Sequence, residues 1–424
     1  MNPSHPVFGT SGDFITSPEI SQVFGEVIDP SLCIWFVSQW ANAGKPASVR
    51  LVELGPGRGT LMADILRTIS KFGLSQSLTG VHFVETSQAL RSVQERLQSS
   101  PHYGDVKLHW YNSITEIPRS PSEYTILVAH EFFDALPIHV LQKKETGWHE
   151  VLIANTEDLQ TSPSPETKDA DTNESTTQEN SAMTPGPRLR RVLSPQPSAA
   201  SMLLGHSSPR FDKLPVGSFI EVSPTSFRIA HHVGRLLAAN PPPSDIPGRS
   251  RSLPQDETKE AEKEEVGVGG CGLFIDYGGA NVFGDSFRAF KQHKIVDAFD
   301  QPGECDLTAN VDFAYLKEAM SGLVSTHGPL TQSSFLERMG LPIRVDALLR
   351  GAKSEERRKV IQDAASRLVD LSGMGKEYKV LGITSTAGTD VEAYPFIREQ
   401  EPVQEEPVKK QGQDESTEAS SSSA

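Results

Sequence analysis

The sequence predicts an α/β protein built on a Rossmann-like parallel sheet. Three observations predict it. Short β-rich apolar runs alternate with segments of helical period along most of the chain. One such run passes directly into a glycine turn and an amphipathic helix, VELGPGRGTL at residues 52–61. Acidic residues recur at the carboxyl ends of the runs, where ligands of such sheets bind. In chain order, Thr16-Ser17-Pro18-Glu19 reads as a helix start, with Ser17 as cap and Pro18 at the first helical position. Residues 47–52 form the first strand, and residues 61–72 carry Leu61, Ile65, Ile69 and Phe72 at helical spacing, with Thr60 placed to cap them. Further strands are expected at 80–85, 106–110, 124–130, 272–278 and 379–385. Helices are expected at 87–98, 226–238, 312–321, 332–339 and 354–371.

The turn after the first strand carries Gly55, Gly57 and Gly59, spaced G-x-G-x-G rather than the G-x-G-x-x-G of dinucleotide sites. Glu53 precedes it. A carboxylate there disfavours a pyrophosphate, and with it a nicotinamide oxidoreductase. It suits a cationic or zwitterionic ligand such as S-adenosylmethionine, which has a sulfonium, an ammonium and one carboxylate. The second strand also ends in an acid, Glu85, placed to bind both ribose hydroxyls. Glu85 lies farther from the glycines than in the shortest Rossmann units, so residues 74–80 supply extra length. Asn112, after the third strand, falls where the adenine of such a cofactor rests.

The chain has 424 residues and a net charge of −15 without a basic patch, which argues against nucleic acid as the main partner. No apolar run reaches membrane-spanning length. Cys33, Cys271 and Cys305 lack the spacing of a disulfide frame or a metal site. Residues 156–186, 240–270 and 399–424 are polar, Pro-rich or acidic and read as disordered. They divide the expected methyltransferase domain into residues 1–155, which include the cofactor-binding half, 187–239 and 271–398.

HEFFDALP at residues 130–137 follows the fourth strand. Glu131 and Asp134 are the candidate catalytic pair. Methyl transfer is an in-line displacement in which positioning does most of the work. A guanidinium stays protonated and accepts bidentate carboxylate partners, so paired acids suit an arginine substrate. Alternatively, the two acids cap the following loop. Asp276 and Tyr277 of FIDYGG either shape the substrate cleft or mark a strand–turn junction, and His130 is either a base or a packed histidine. Thr16, Ser17 and Glu19 either contact the methionine end of the cofactor or start an ordinary capped helix.

GDFITSPEISQVFGE, VELGPGRGTLMADILR, HEFFDALPIHVLQ and the later FIDYG, FRAFKQHK and DLTANVDFAYLK together resemble the MidA family. The resemblance spans residues 9–383, with 156–186 and 240–270 as insertions. It implies a class I S-adenosylmethionine-dependent methyltransferase fold with extra helices. It also implies a protein arginine methyltransferase of the mitochondrial matrix that supports complex I assembly. The family's members symmetrically dimethylate an arginine of a core complex I subunit, the 49-kDa NADH dehydrogenase iron–sulfur subunit. Glu53, Gly55, Gly57, Gly59, Glu85 and the Thr16–Glu19 motif carry over to cofactor binding. Family members have a longer segment before GDFITSPEIS, including a presequence, so targeting here is implied by the resemblance alone. A non-catalytic assembly factor that keeps the fold is the alternative.

Overall fold

The structure, a computed structural model, describes residues 22–97, 106–155, 189–240, 266–292, 294–299, 302–385 and 393–397. Thr16, Ser17 and Glu19 lie outside the described residues, as do 156–186, 399–424 and most of 240–270. The end of that last stretch is ordered. Gly267 N–H donates to the Ala239 carbonyl at 2.9 Å and Val268 N–H to the Pro121 carbonyl at 2.9 Å, leading the chain into a strand from Gly270.

Helix α1 (Gln22–Asn42) buries Leu32, Trp35 and Phe36 and leads to β1 (Val49–Leu54). All six residues of β1 are buried, as expected of a central strand covered on both faces. Next come α2 (Thr60–Ile69), β2 (Leu78–Val84), α3 (Gln88–Leu97), β3 (Lys107–Tyr111) and β4 (Tyr124–His130). The length expected before Glu85 is two short 3₁₀ turns between α2 and β2. Thr60 does not cap α2. It is the first helical residue, and Gly59 occupies the cap position in the left-handed region without a side-chain hydrogen bond.

The chain then forms β5 (His139–Lys144), β6 (Gly147–Asn155), β7 (Leu189–Leu193), α4 (Ala199–Gly205), α5 (Pro209–Asp212), β8 (Phe219–Val222) and α6 (Pro224–Leu237). Strands β7-β6-β5-β8 make a four-stranded antiparallel sheet that local pattern did not announce. Strand β9 (Gly270–Gly279) re-enters the main sheet. It is followed by β10 (Arg288–Lys291), β11 (Lys294–Val296) and β12 (Asp306–Thr308), a three-stranded antiparallel sheet in the order β11-β10-β12. The remaining elements are β13 (Val311–Asp312), α7 (Phe313–Met320), β14 (Ser325–Thr331), α8 (Gln332–Arg338), α9 (Leu341–Gly351), α10 (Glu355–Val369), α11 (Met374–Glu377) and β15 (Tyr378–Thr384).

The main sheet has the order β14-β15-β9-β4-β1-β2-β3, with β13 paired to the end of β9. From β3 to β9 every pairing is parallel. The expected all-parallel sheet is corrected at its far side, where β15 runs antiparallel to β9 and β14 antiparallel to β15. The sequence STHGPLT of β14 contains a Gly-Pro break and does not look like a strand. It is tolerated because β14 is an edge, with a register shift between His327 and Leu330.

One apolar core lies on each face. Helices α1, α2, α8 and α10 cover Leu51, Phe83, Val128 and Leu273, and α6 and α7 cover Val52, Leu127, Phe274 and Leu381 on the other side. Among the described residues, no helix is long and apolar enough to cross a membrane.

Gly278 pairs with Val311 at the mouth of the sheet. Its φ is 143°, and a β-carbon there would lie 2.1 Å from the Val311 carbonyl oxygen. Gly278→Ala is expected to force β13 from β9 and to lower stability by about 1–3 kcal/mol, read as a lower melting temperature.

Candidate active site

The glycine turn lies between the ends of β1 and β2. Gly55 N–H donates to the Val84 carbonyl at 3.0 Å, and Gly59 N–H to the Pro56 carbonyl at 2.7 Å. Gly55 has φ 64° and faces the Phe132 ring, from which a β-carbon would be only 2.8 Å away. Gly57 has φ 53°, and a β-carbon there would meet nothing within 4 Å, so its side opens into space. A buried glutamine stiffens the turn from behind. Gln94 of α3 donates its amide to the Gly57 carbonyl at 2.7 Å and accepts the Trp110 indole N–H at 2.8 Å.

A cavity of about 250 Å³ lies over this turn, lined among others by Glu53, Gly57, Glu85, His130, Glu131 and Phe132. A second, of about 520 Å³, adjoins it and is lined by Asn112, Ile114, Phe132, Arg228, Ile229 and His232. The two share Gly55, Glu85, Phe132 and Leu136. Glu53 is buried, and its Oε2 has no hydrogen-bond partner. Burial raises its carboxyl to about 8. Glu85 Oε1 accepts the Ser87 N–H at 2.7 Å, and burial raises this carboxyl above its ordinary value. Arg91 joins Glu85 to Asn112. Its guanidinium donates to the Glu85 carbonyl, with Nε at 2.8 Å, and to Asn112 Oδ1 at 2.9 Å.

The loop after β4 is organised by Asp276, which is 1 % exposed at the end of β9. Its Oδ2 accepts the N–H groups of Phe132, Phe133 and Asp134 at 3.2, 2.9 and 3.3 Å. Burial, and then the charges of Asp134 and Glu131, push the Asp276 carboxyl well up. Of the two readings left open for Asp276, the structural one holds. Tyr277 instead lines the neighbouring cleft.

The structure separates the two acids expected to act together. Glu131 lines the cavity with φ 50°, in the left-handed region that costs a residue with a side chain strain. Its Oε1 accepts the Tyr378 hydroxyl at 2.6 Å. Asp134 is buried away from the cavity lining. Its Oδ2 accepts the Thr308 hydroxyl at 2.8 Å, and burial followed by the Glu131 charge raises it to about 6. Three residues apart on an irregular loop, the two side chains diverge.

His130 lines the cavity but is buried. Burial lowers its imidazolium to about 4, so it is neutral near pH 7 and a weak base there. Sequence pattern missed Arg91, Gln94, Arg228, His232 and Tyr378. None stands in a local motif, and Tyr378 reaches the site only because β15 lies beside β9.

A sheet of this order, with a glycine turn at the end of β1 and acids at the ends of β1 and β2, defines an S-adenosylmethionine-dependent methyltransferase. The free Glu53 oxygen and the open side of Gly57 fit a ligand with positive charge pressed against backbone. The matched sequences make the assignment specific. Residues 31–330 match a family model described as "Putative S-adenosyl-L-methionine-dependent methyltransferase". The chain is 32% identical over 396 residues to the human protein named protein arginine methyltransferase NDUFAF7, mitochondrial, covering 89% of this chain and 74% of that one. It is 34% identical over 399 residues to the Danio rerio protein of that name, covering 90% and 78%. With the Drosophila melanogaster homolog it shares 33% over 419 residues, covering 92% and 79%. The chain belongs to this family of S-adenosylmethionine-dependent methyltransferases. Its fold matches that of a Burkholderia thailandensis protein bound to S-adenosyl-homocysteine with a TM-score of 0.62, at 20% identity, covering 89% of this chain and 81% of that one.

Replacing Gln94 by Leu leaves the Gly57 carbonyl and the Trp110 indole without their buried partner, at a cost of about 1–3 kcal/mol. Calorimetry is expected to show S-adenosylmethionine binding weakened about tenfold in Gln94→Leu, at a temperature where circular dichroism shows the variant still folded.

Proposed function

We propose that this methyltransferase transfers methyl groups to an arginine of a protein, and that Glu131, held by Tyr378, is the residue that receives the guanidinium. The observation that carries this is the 2.6 Å hydrogen bond from the Tyr378 hydroxyl to a carboxylate at the lip of the cofactor cavity. The names of the relatives support the arginine. Following them and the resemblance, the substrate is a core complex I subunit, the 49-kDa iron–sulfur subunit. The product is symmetric dimethylarginine, and the site of action is the mitochondrial matrix.

S-adenosylmethionine, when bound, supplies a methyl group on a sulfonium. Glu53 and the Gly55–Gly57–Gly59 turn would hold its charged methionine end, with Thr16, Ser17 and Glu19 of the N-terminal motif. Glu85 would take the ribose hydroxyls, and Asn112 would stand beside the adenine. The protein's own part is orientation. Glu131 accepts guanidinium N–H bonds and turns one nitrogen toward the cavity. It then receives the proton that this nitrogen sheds as the new N–C bond forms. Tyr378 fixes the carboxylate and disperses its charge. Asp134 acts indirectly, because its bond to Thr308 anchors the loop that carries Glu131.

Incubation of the full chain with labelled S-adenosylmethionine and the 49-kDa subunit, followed by mass spectrometry, is expected to locate methyl groups on arginine. Glu131→Gln is expected to lower kcat about 100-fold or more, and Tyr378→Phe about tenfold, with cofactor binding little changed. A wild-type protein that binds the cofactor but methylates no arginine would favour the non-catalytic assembly role.

Glu53 adds a pH dependence. With its carboxyl raised to about 8, it is protonated near pH 6 in the free protein. A cationic ligand beside it favours the carboxylate, so binding releases a proton and tightens as pH rises toward 8, by up to about tenfold per unit. Calorimetry between pH 6 and 8 is expected to show this slope in the wild type and a flatter one in Glu53→Gln.

A further inference from the structure

Past the Tyr378 hydroxyl, on the side away from the cofactor cavity, opens a larger cleft of about 940 Å³. Its inner end is made by Tyr277 and Tyr378, whose ring centroids are 4.1 Å apart. Tyr378 therefore stands between the two spaces. Its ring lines the cleft, and its hydroxyl reaches Glu131 at the lip of the cavity. One wall is the β10–β11 hairpin, and the other is α10, α11 and the turn between them.

The charge of this cleft runs against that of the chain. The protein as a whole carries −15, yet Arg288, Arg367, Lys376 and Lys379 line the cleft against only Asp370 and Glu377. Asp370 is taken up by its own turn, accepting the Ser372 N–H at 2.9 Å and hydroxyl at 2.8 Å. Arg288 lies over the Tyr277 ring at 5.7 Å and donates to Asn310 Oδ1 at 2.9 Å, a neutral partner. Arg367 and Lys376 are exposed, with no ion-pair partner among the described residues. Beyond the Tyr378 hydroxyl the sign reverses, because its partner is the Glu131 carboxylate. The cationic mouth thus stands next to an anionic floor at Glu131.

We infer that this cleft docks the protein substrate, and that the segment it takes is acidic, with aspartates or glutamates flanking the methylated arginine. The inference rests on the arginine reading above. The cationic mouth repels an isolated basic side chain and attracts one whose neighbours carry carboxylates. The floor then accepts the guanidinium alone. A space of about 940 Å³ holds several residues of extended chain. The Tyr277 ring at the inner end of the cleft offers an apolar face for the methylene stem of the target side chain.

The test uses the full chain saturated with S-adenosyl-homocysteine and three short fluorescein-labelled peptides. Each is centred on arginine, and they are flanked by glutamates, by glutamines or by lysines. Fluorescence anisotropy is expected to show the glutamate-flanked peptide binding at least tenfold tighter than the glutamine-flanked one. That margin should shrink with added salt and vanish in the Arg367→Glu, Lys376→Glu double variant. Both residues are exposed, so the double variant is expected to keep the wild-type melting temperature and cofactor affinity. Equal binding of the glutamate and glutamine peptides overturns the inference, as does a preference that survives the double variant. It is also overturned if a single-stranded RNA of matched charge binds more tightly than the acidic peptide. Labelled-methyl transfer to the same peptides separates the two levels. Tight, charge-selective binding without transfer sustains the docking cleft and removes the arginine reading. Transfer to arginine without preference for acidic flanks does the reverse.

Discussion

The Asp276 side chain, buried at the end of β9, accepts the backbone N–H groups of Phe132, Phe133 and Asp134 through one oxygen and that of Tyr277 through the other. The first three of these bonds tie the loop after β4 to the neighbouring strand at the mouth of the sheet. Each such hydrogen bond contributes about 0.5–1.5 kcal/mol, together enough to hold Glu131 in an unfavourable left-handed conformation. With the loop fixed, Phe132 packs on the glycine turn, Phe133 packs on Phe274 at 4.7 Å, and Glu131 turns toward Tyr378. The side chain lacking at Gly55 and the anchor of the loop are two halves of one arrangement. A β-carbon at Gly55 displaces Phe132, and Phe132 separates the two cavities.

Buried acids set the electrostatic character of the site. Glu53, Glu85, Asp134 and Asp276 all have carboxyls raised above their ordinary values, with burial the first cause in each. Leaving several carboxylates in low dielectric is costly unless positive charge arrives to offset them. A sulfonium cofactor supplies such charge. Of these acids, Glu53 and Glu85 line the cavity, whereas Asp134 and Asp276 lie outside its lining. The neutral His130 at the wall adds no competing positive charge near pH 7.

The antiparallel strand β15 connects the cofactor side to the far side of the molecule. It crosses beside β9 with Tyr378 facing Tyr277 in register. Without this pairing the Tyr378 hydroxyl would not reach Glu131, and its ring would not stand at the end of the cationic cleft. The site is assembled from residues 53 to 378, and its most distant contributor in the chain is bonded to the Glu131 carboxylate.

Local physics was legible wherever it was sufficient. The run YTILVAH marked β4 to the residue, because a strand buried on both faces is simply apolar. The glycine turn, Glu53 and Glu85 identified the cofactor, because positive φ and a carboxylate at a strand end are properties of single positions. Thr60 was misjudged as a cap because the left-handed glycine before it ends the turn without a side chain. Strand β14 was invisible because its Gly-Pro break is tolerated only at an edge, and being an edge is a property of the sheet. The sequence by itself determined the α/β class, the cofactor and the family. Only the tertiary structure decided that Asp134 and Asp276 brace a loop while Glu131 faces the cavity, and that Tyr378 serves it. Side chains on an irregular loop take their directions from distant hydrogen-bond partners, and those partners are brought near only when the sheet has closed around them.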